Sequence, residues 1–135
     1  MDEAAWEASS PREKVLISGL TDWVDLGQIH SYVERSNPGA SLAGIQAETL
    51  DLIRALAGEG LVRIGDLTGP GGRFVAWSTS LEDSLQRIRS EYVEKFDDQE
   101  SWPWYSWLDL TDEGDRVAHA IEAKLNQSSD STAGA

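Results

Sequence analysis

One stretch of the chain, residues 45–77, constrains the fold more than any other. Apolar residues at helical spacing end at Gly60, and residues 61–64 (LVRI) then have the β-branched content of a strand. A glycine-rich turn over residues 67–72 separates this strand from a second one over residues 73–77. The order helix, strand, turn, strand predicts a mixed fold in which a helix precedes a small antiparallel hairpin.

Helices are predicted on both sides of this stretch, over residues 12–18, 26–35, 81–96 and from 112 onward, which gives about five helices. Each begins after a residue whose side-chain oxygen can accept a backbone N–H. These predicted N-caps are Ser10, Asp25, Ser80 and Thr111. With short strands near residues 21–24 and 104–110, the chain is predicted to be α+β and mostly helical, with a two- or three-stranded antiparallel sheet.

The domain organisation expected from these patterns is a single domain over residues 10–125. Residues 1–9 are acidic with one aromatic residue, Trp6, and residues 126–135 are small or polar; we expect both segments to be disordered tails. No apolar run approaches the roughly 18 residues of a membrane span, and residues 1–9 lack a secretory pattern, so we expect a cytoplasmic protein without membrane partners.

Charge and cysteine content restrict the function classes. The formal net charge is −13 and there is no cysteine, which excludes thiolate nucleophiles and cysteine-ligated zinc. Residues 44–77 carry four acidic and three basic residues, whereas residues 78–135 carry thirteen acidic and five basic ones. A DNA-binding face is normally basic, so this charge disfavours nucleic acid and fits a protein partner with a basic surface, or no special partner.

Two short runs carry a family resemblance: LIRALAGEGLV over residues 52–62 and LTDEG over residues 110–114. They resemble the recognition helix and the end of the wing in winged helix-turn-helix regulators of the multiple-antibiotic-resistance and phenolic-acid-repressor types. The resemblance covers about residues 12–65 and 104–125. It implies a winged helix-like fold, DNA binding through helix 45–57 and the wing, and often a homodimer formed by terminal helices.

Residues 66–103 are then an insertion within the wing, and we expect their helix, residues 81–96, to pack beside the wing. The connection over residues 36–44 is longer than the 3–4 residues of a tight helix-turn-helix. Glu48 and Asp51 face outward on helix 45–57, which is unfavourable for contact with phosphates. The candidate DNA-binding residues of this alternative are Gln46, Thr49, Arg54, Arg63 and Arg73.

The candidate partner-binding surface consists of the tryptophan-rich run at residues 102–107 and the acidic run at residues 97–100. Its aromatic residues could fill the core, with Trp104 or Trp107 covering the sheet, or form an exposed platform for a partner. In either case Trp102 and Trp6, beside charged loops, are expected to be exposed. The candidate partner-binding residues are Trp102, Trp104, Tyr105, Trp107, Asp97, Asp98 and Glu100.

The two histidines do not form a recognisable catalytic or metal site. Asp115, His119 and Glu122 share one helical face, which we interpret as a solvated face with intrahelical charge pairs. His30 is expected to be a surface or half-buried residue. We therefore expect no catalytic residues, no metal and no cofactor, and a non-enzymatic protein that acts through protein–protein contacts, with a DNA-binding transcriptional regulator as the alternative.

Overall fold

The computed structural model describes residues 2–68 and 72–133, with side chains up to residue 127. Within these residues the chain forms six α-helices and four strands, which confirms the predicted α+β, mostly helical class. The helices are α1 (Glu3–Ala8), α2 (Pro11–Ser18), α3 (Leu26–Ser36), α4 (Leu42–Gly58), α5 (Leu81–Tyr92) and α6 (Asp112–Ala133). The strands are β1 (Val24–Asp25), β2 (Val62–Thr68), β3 (Arg73–Ala76) and β4 (Trp107–Leu110).

The strands form one antiparallel sheet in the order β1-β4-β2-β3, which has one strand more than predicted. Strand β4 lies in the middle, where Leu108 pairs with Val24 on one side and with Ile64 on the other. The fourth strand of the sheet is β1, which was predicted as a short strand near residues 21–24 and lies at Val24–Asp25, where it pairs with β4. An α+β arrangement of helices with this small sheet is compatible with a winged-helix-like fold.

The predicted N-caps are confirmed. Ser10 and Glu13 form a reciprocal capping box, and Asp25, Ser80 and Thr111 each accept the backbone N–H three residues later. A fifth cap, Ser41, was missed: its Oγ accepts the Gly44 N–H, so α4 begins at Leu42. The connection between α3 and α4 is therefore residues 37–41, shorter than the predicted residues 36–44.

Two boundaries, one within the insertion and one just after it, differ from prediction. Helix α5 ends at Tyr92, not at residue 96. Strand β4 begins at Trp107, not at residue 104, because a 3₁₀ helix over Trp102–Trp104 comes first. Pro103 has no backbone N–H to donate to a ladder, so the pairing starts after it. Residues 69–71 of the predicted turn lie outside the described residues.

Helices occupy both segments for which we expected disorder. Helix α1 is capped by Asp2 and packs the Trp6 ring edge-on against Tyr32, with ring centroids 5.9 Å apart, which gives this short segment an anchor. Helix α6 continues to Ala133 instead of ending near Asn126, because no glycine or proline lies between Asn126 and Gly134. Residues 134–135 of the predicted tail lie outside the described residues.

The insertion packs against α4 and not, as we expected, mainly beside the wing. Helix α5 lies along α4, where Gln46 Nε2 donates to the Tyr92 carbonyl at 3.3 Å. At the other end of the pair, Arg54 forms an ion pair of 3.2 Å with Glu82. The buried face of α5 joins the apolar core that α2, α3, α4 and the sheet share. One side of the predicted recognition helix is therefore covered by the chain itself.

Candidate functional site

An open cleft of about 600 Å³ lies between α3 and the segment that follows α5. The two walls approach closely at Gly27, where an added Cβ would meet Pro103 at 2.8 Å. Glycine at this position thus lets the 3₁₀ helix pack directly on α3. The α3 wall is lined by Asp25, Gln28, Ser31 and Glu34, and the opposite wall by Phe96, Gln99, Trp102 and Trp104.

The floor of the cleft is a buried cluster of rings centred on His30, which is 7% exposed. The His30 ring centroid lies 5.3 Å from that of Trp102 and 5.4 Å from that of Phe96. Burial lowers the pKa of His30, although the nearby Glu34 carboxylate raises it in part, so the imidazole is neutral at pH 7. The residue is buried where we expected it at the surface or half-buried.

Tyr92 is also part of this floor. Its hydroxyl lies 2.5 Å from His30 Nδ1, and its ring centroid lies 4.8 Å from that of Trp102. Burial raises the pKa of Tyr92 to about 12, so the phenol stays protonated and can donate to a neutral imidazole. The floor thus combines aromatic rings with two hydrogen-bonding groups, and burial disfavours the charged form of both.

The charge in the cleft comes from two carboxylates on α3. Asp25 and Glu34 line it, and the lining formed by the described residues contains no lysine or arginine. Burial raises the pKa of the Asp25 carboxyl, while hydrogen bonds from backbone N–H groups such as that of Gln28 act in the opposite direction. The predicted acidic residues Asp97, Asp98 and Glu100 are exposed on the adjoining turn. The cleft and its margin are therefore acidic.

The tryptophans of this segment are arranged differently from our expectation. Trp102, expected to be exposed, is 3% exposed, because its ring stacks on Phe96 and its Nε1 donates to the Phe96 carbonyl at 2.8 Å. Trp104, one of the two candidates for the core, is 56% exposed and lines the cleft. One tryptophan thus supports the floor and the other presents an aromatic surface.

The remaining aromatic candidates are half-buried. Trp107 stacks with Trp104, with ring centroids 6.0 Å apart, and Tyr105 packs edge-on against Trp77 at 5.9 Å. Trp6, also expected to be exposed, is half-buried beside Tyr32. Of the aromatic residues predicted to bind a partner, Trp102 and Trp104 are the two that line the cleft.

Two of the candidate DNA-binding residues are buried and cannot contact DNA in this structure. Gln46 is 6% exposed, and Thr49 is fully buried with its hydroxyl donating to the Ile45 carbonyl at 2.8 Å. The prediction placed them on the outer face of the helix because it did not foresee that α5 packs there. The acidic residues Glu48 and Asp51 on the same helix are exposed, as predicted.

The three candidate arginines remain exposed, and two of them are paired with carboxylates. Arg54 pairs with Asp51 and Glu82, and Arg63 pairs with Asp109 across strands β2 and β4. Arg73 begins the edge strand β3. Neighbouring carboxylates therefore neutralise much of the positive charge that would contact DNA phosphates.

Sequence reasoning missed the α3 side of the cleft. The signal available was helical spacing, because Gly27, Ser31 and Glu34 recur at intervals of four and three residues and share one face. Two small residues followed by a carboxylate on one helical face indicate a surface that another segment can approach. What the sequence could not show was that residues 96–104 form the opposite wall.

Among the described residues, no group of three histidine or carboxylate side chains is arranged to hold a metal ion. His119 lies 3.5 Å from Asp115 and 3.9 Å from Glu122, on an exposed part of α6. None of the helices in the described part of the chain is long and apolar enough to cross a bilayer. Comparisons of the chain with protein families, curated proteins and solved structures found no match.

Proposed function

We propose that this chain is a non-enzymatic, winged-helix-like protein of the cytoplasm that acts through protein–protein contacts made at the cleft. The observation that carries the proposal is the exposed ring of Trp104, 56% exposed, at the edge of an acidic cleft. Tryptophan is favoured as an anchor in protein interfaces, and Trp104, which stacks on Trp107, leaves more than half of its surface exposed. The surrounding carboxylates favour a partner with a basic surface.

Site-specific photo-crosslinking tests this proposal. A photoreactive phenylalanine analogue replaces Trp104 in one variant and His119, exposed on α6, in a matched control. We expect discrete crosslinked proteins in native lysate from the Trp104 position and not from the His119 position. A homodimer would appear as a crosslink between two copies of this chain. Identical crosslinking patterns from both positions would contradict a specific contact at the cleft.

A DNA-binding regulator is the second candidate, and two observations favour it. The connection between α3 and α4 is only residues 37–41, close to the length of a tight helix-turn-helix, and the sheet order is compatible with a wing. Of the five candidate DNA-binding residues, Arg54, Arg63 and Arg73 are the ones exposed for contact with DNA. Fluorescence anisotropy on random duplex at low salt tests it: binding that weakens steeply with salt and is lost in Arg54→Ala would favour this candidate over the first.

A further inference from the structure

Strand β3 forms an open edge of the sheet. Within the described part of the chain it pairs with β2 alone, so its other side is free to pair. The Trp77 N–H donates to the Ile64 carbonyl at 2.9 Å, which fixes the alternation of the ladder. Residues 73, 75 and 77 therefore bond to β2, and the backbone N–H and C=O groups of Phe74 and Ala76 point away from the sheet.

This edge lacks most of the features that keep sheet edges from pairing with other chains. Natural edge strands are protected by lysine, by proline or by a bulge. Residues 73–76 contain neither of these residue types, and their register with β2 is continuous. The single charge is Arg73 at one end, whereas Val75 in the middle is apolar and 48% exposed. The strand is therefore suited to pairing with another strand.

The local charge allows that strand to come from a second copy of this chain. Copies with a net charge of −13 repel each other over most of their surface. Residues 67–81, however, are the longest run of the sequence without a carboxylate, and Arg73 is the only charged residue among them. Two copies that meet at β3 thus bring together a segment of each that carries no acidic side chain.

An antiparallel pair of β3 strands with a two-fold axis at Val75 satisfies the whole edge. In this register Phe74 lies opposite Ala76 of the second copy, and each such pair exchanges two backbone hydrogen bonds. Every outward-pointing backbone group of the strand then has a partner. A shift of the register by two residues would bring Gly72 or Ser78, which lie outside the strand, into the pairing.

The side chains fit the same register. Val75 faces its own counterpart at a non-hydrogen-bonded position, where Cα atoms are about 4.5 Å apart and β-branched side chains pack well. The large Phe74 ring lies opposite the small Ala76. Arg73 lies opposite Trp77, so the arginines of the two copies are four residues apart, about 13 Å along the strand. The register therefore places no like charges opposite each other.

We propose that two copies of this chain associate through antiparallel pairing of their β3 strands about a two-fold axis at Val75, which joins their sheets into one. The described lining of the cleft includes no residue of β3, so this surface is distinct from that of the proposed function. The contact is short, and the dimer is weak and reversible. Association through the terminal helices, or pairing with a different protein only, would overturn the proposal.

Sedimentation equilibrium of the full chain measures the association and its salt dependence. Raising the NaCl concentration from about 0.1 M to about 1 M shortens the screening length from about 10 Å to about 3 Å, which weakens the repulsion between acidic copies. We expect the dissociation constant of the dimer to fall severalfold. A dissociation constant that rises with salt, or a chain that stays monomeric up to about 1 mM at the higher salt, would overturn the proposal.

Two lysine variants with the same change in charge locate the interface. Val75→Lys places like charges opposite each other at the axis, and we expect it to weaken dimerisation by about fivefold or more. The control is Leu42→Lys, at an apolar residue of similar exposure, 44%, where α4 begins. It should leave dimerisation unchanged or slightly stronger, because the chain becomes less acidic. Equal weakening in both variants would exclude β3 as the interface.

A proline variant tests the backbone pairing without adding charge. The Ala76 N–H points away from β2, so Ala76→Pro keeps the hydrogen bonds within the sheet and removes one donor of each copy from the interface. We expect a loss of dimerisation comparable to that in Val75→Lys. Dimerisation at the original strength would show that the edge groups of β3 do not pair.

Single cysteines test the register, since the chain has no cysteine of its own. In Val75→Cys the two thiols lie opposite each other, within the Cα separation of about 4.4–6.8 Å that a disulfide requires. In Arg73→Cys they are about 13 Å apart. Under mild oxidation we expect Val75→Cys to form a covalent dimer much faster than Arg73→Cys. Equal rates, or a dimer that crosslinks at neither position, would overturn the proposal.

Discussion

His30 Nδ1 and the Tyr92 hydroxyl oxygen are 2.5 Å apart in the interior, and this contact joins α3 to α5 beneath the cleft. Tyr92 is fully buried, and Trp102 packs against both rings. The backbone carbonyl of Tyr92 also accepts a hydrogen bond from the side chain of Gln46 on α4. The floor of the cleft thus depends on a few polar contacts between three helices.

Tyr92→Phe should lower the free energy of unfolding by about 1–3 kcal/mol, because it leaves the buried His30 Nδ1 without its partner while keeping the ring. Urea denaturation followed by fluorescence measures this change. The matched control is Tyr105→Phe, a half-buried tyrosine outside the cluster, for which we expect a change within about 0.5 kcal/mol. Equal effects in the two variants would contradict a special role for the His30 contact.

His30→Gln should reduce the pH dependence of stability. Burial lowers the pKa of His30 in the folded chain below 6.5, so between that lowered value and 6.5 the unfolded chain binds more protons. Stability therefore falls as the pH decreases from about 7 through this window, against the smaller opposing effect of Glu34. Urea midpoints on both sides of pH 6.5 measure this loss. If the variant loses as much stability as the original chain when the pH decreases, His30 is not the source of the pH dependence.

Trp102→Ala and Trp104→Ala should have very different effects on stability. Truncating the buried Trp102 should cost about 3–5 kcal/mol, because it leaves a cavity and removes the indole hydrogen bond to the Phe96 carbonyl, which then keeps only Gln99 as a side-chain donor. Truncating Trp104, 56% exposed, should cost about 1 kcal/mol or less. Thermal or urea unfolding of both variants checks the contrast. A large loss of stability in Trp104→Ala would indicate a structural role for that ring.

Gly114→Ala and Gly58→Ala make a second contrasting pair. A Cβ at Gly114 would lie 1.9 Å from the Leu61 carbonyl oxygen, so α6 would have to move away from β2, at a cost we expect to exceed about 2 kcal/mol. A Cβ at Gly58 would meet Leu81 at 3.8 Å, an ordinary contact, and alanine is the better helix former by about 1 kcal/mol. Gly58→Ala should therefore be neutral or stabilising in the same unfolding measurement.

Local signals predicted the elements and their starts well. Ser10, Asp25, Ser80 and Thr111 act within three residues of the chain, so their roles depend little on distant packing. Ser41 was the exception, because glycine and alanine follow it and the apolar periodicity becomes clear only at Ile45. The helix at Glu3–Ala8 was missed for a different reason: its anchor, the contact between Trp6 and Tyr32, is distant in sequence.

The site was predicted less well, because exposure depends on which segments meet. Trp102 and Trp104 both line the cleft, but Trp102 is buried where we expected it to be exposed, and Trp104, a candidate for the core, is exposed. A 3₁₀ turn at Pro103 directs one indole inward to the Phe96 carbonyl and the other outward, which composition alone does not specify. Likewise, Gln46 and Thr49 were assigned to an outer face because nothing local indicates that α5 covers them.

Residues 66–103 contribute both the helix that covers α4 and one wall of the cleft. Tyr92 connects the two, since its hydroxyl contacts His30 and its carbonyl contacts Gln46. Any rearrangement that uncovered this face of α4 would therefore dismantle the cleft at the same time. The two surfaces are mutually exclusive, and one molecule could offer its partners one or the other but not both.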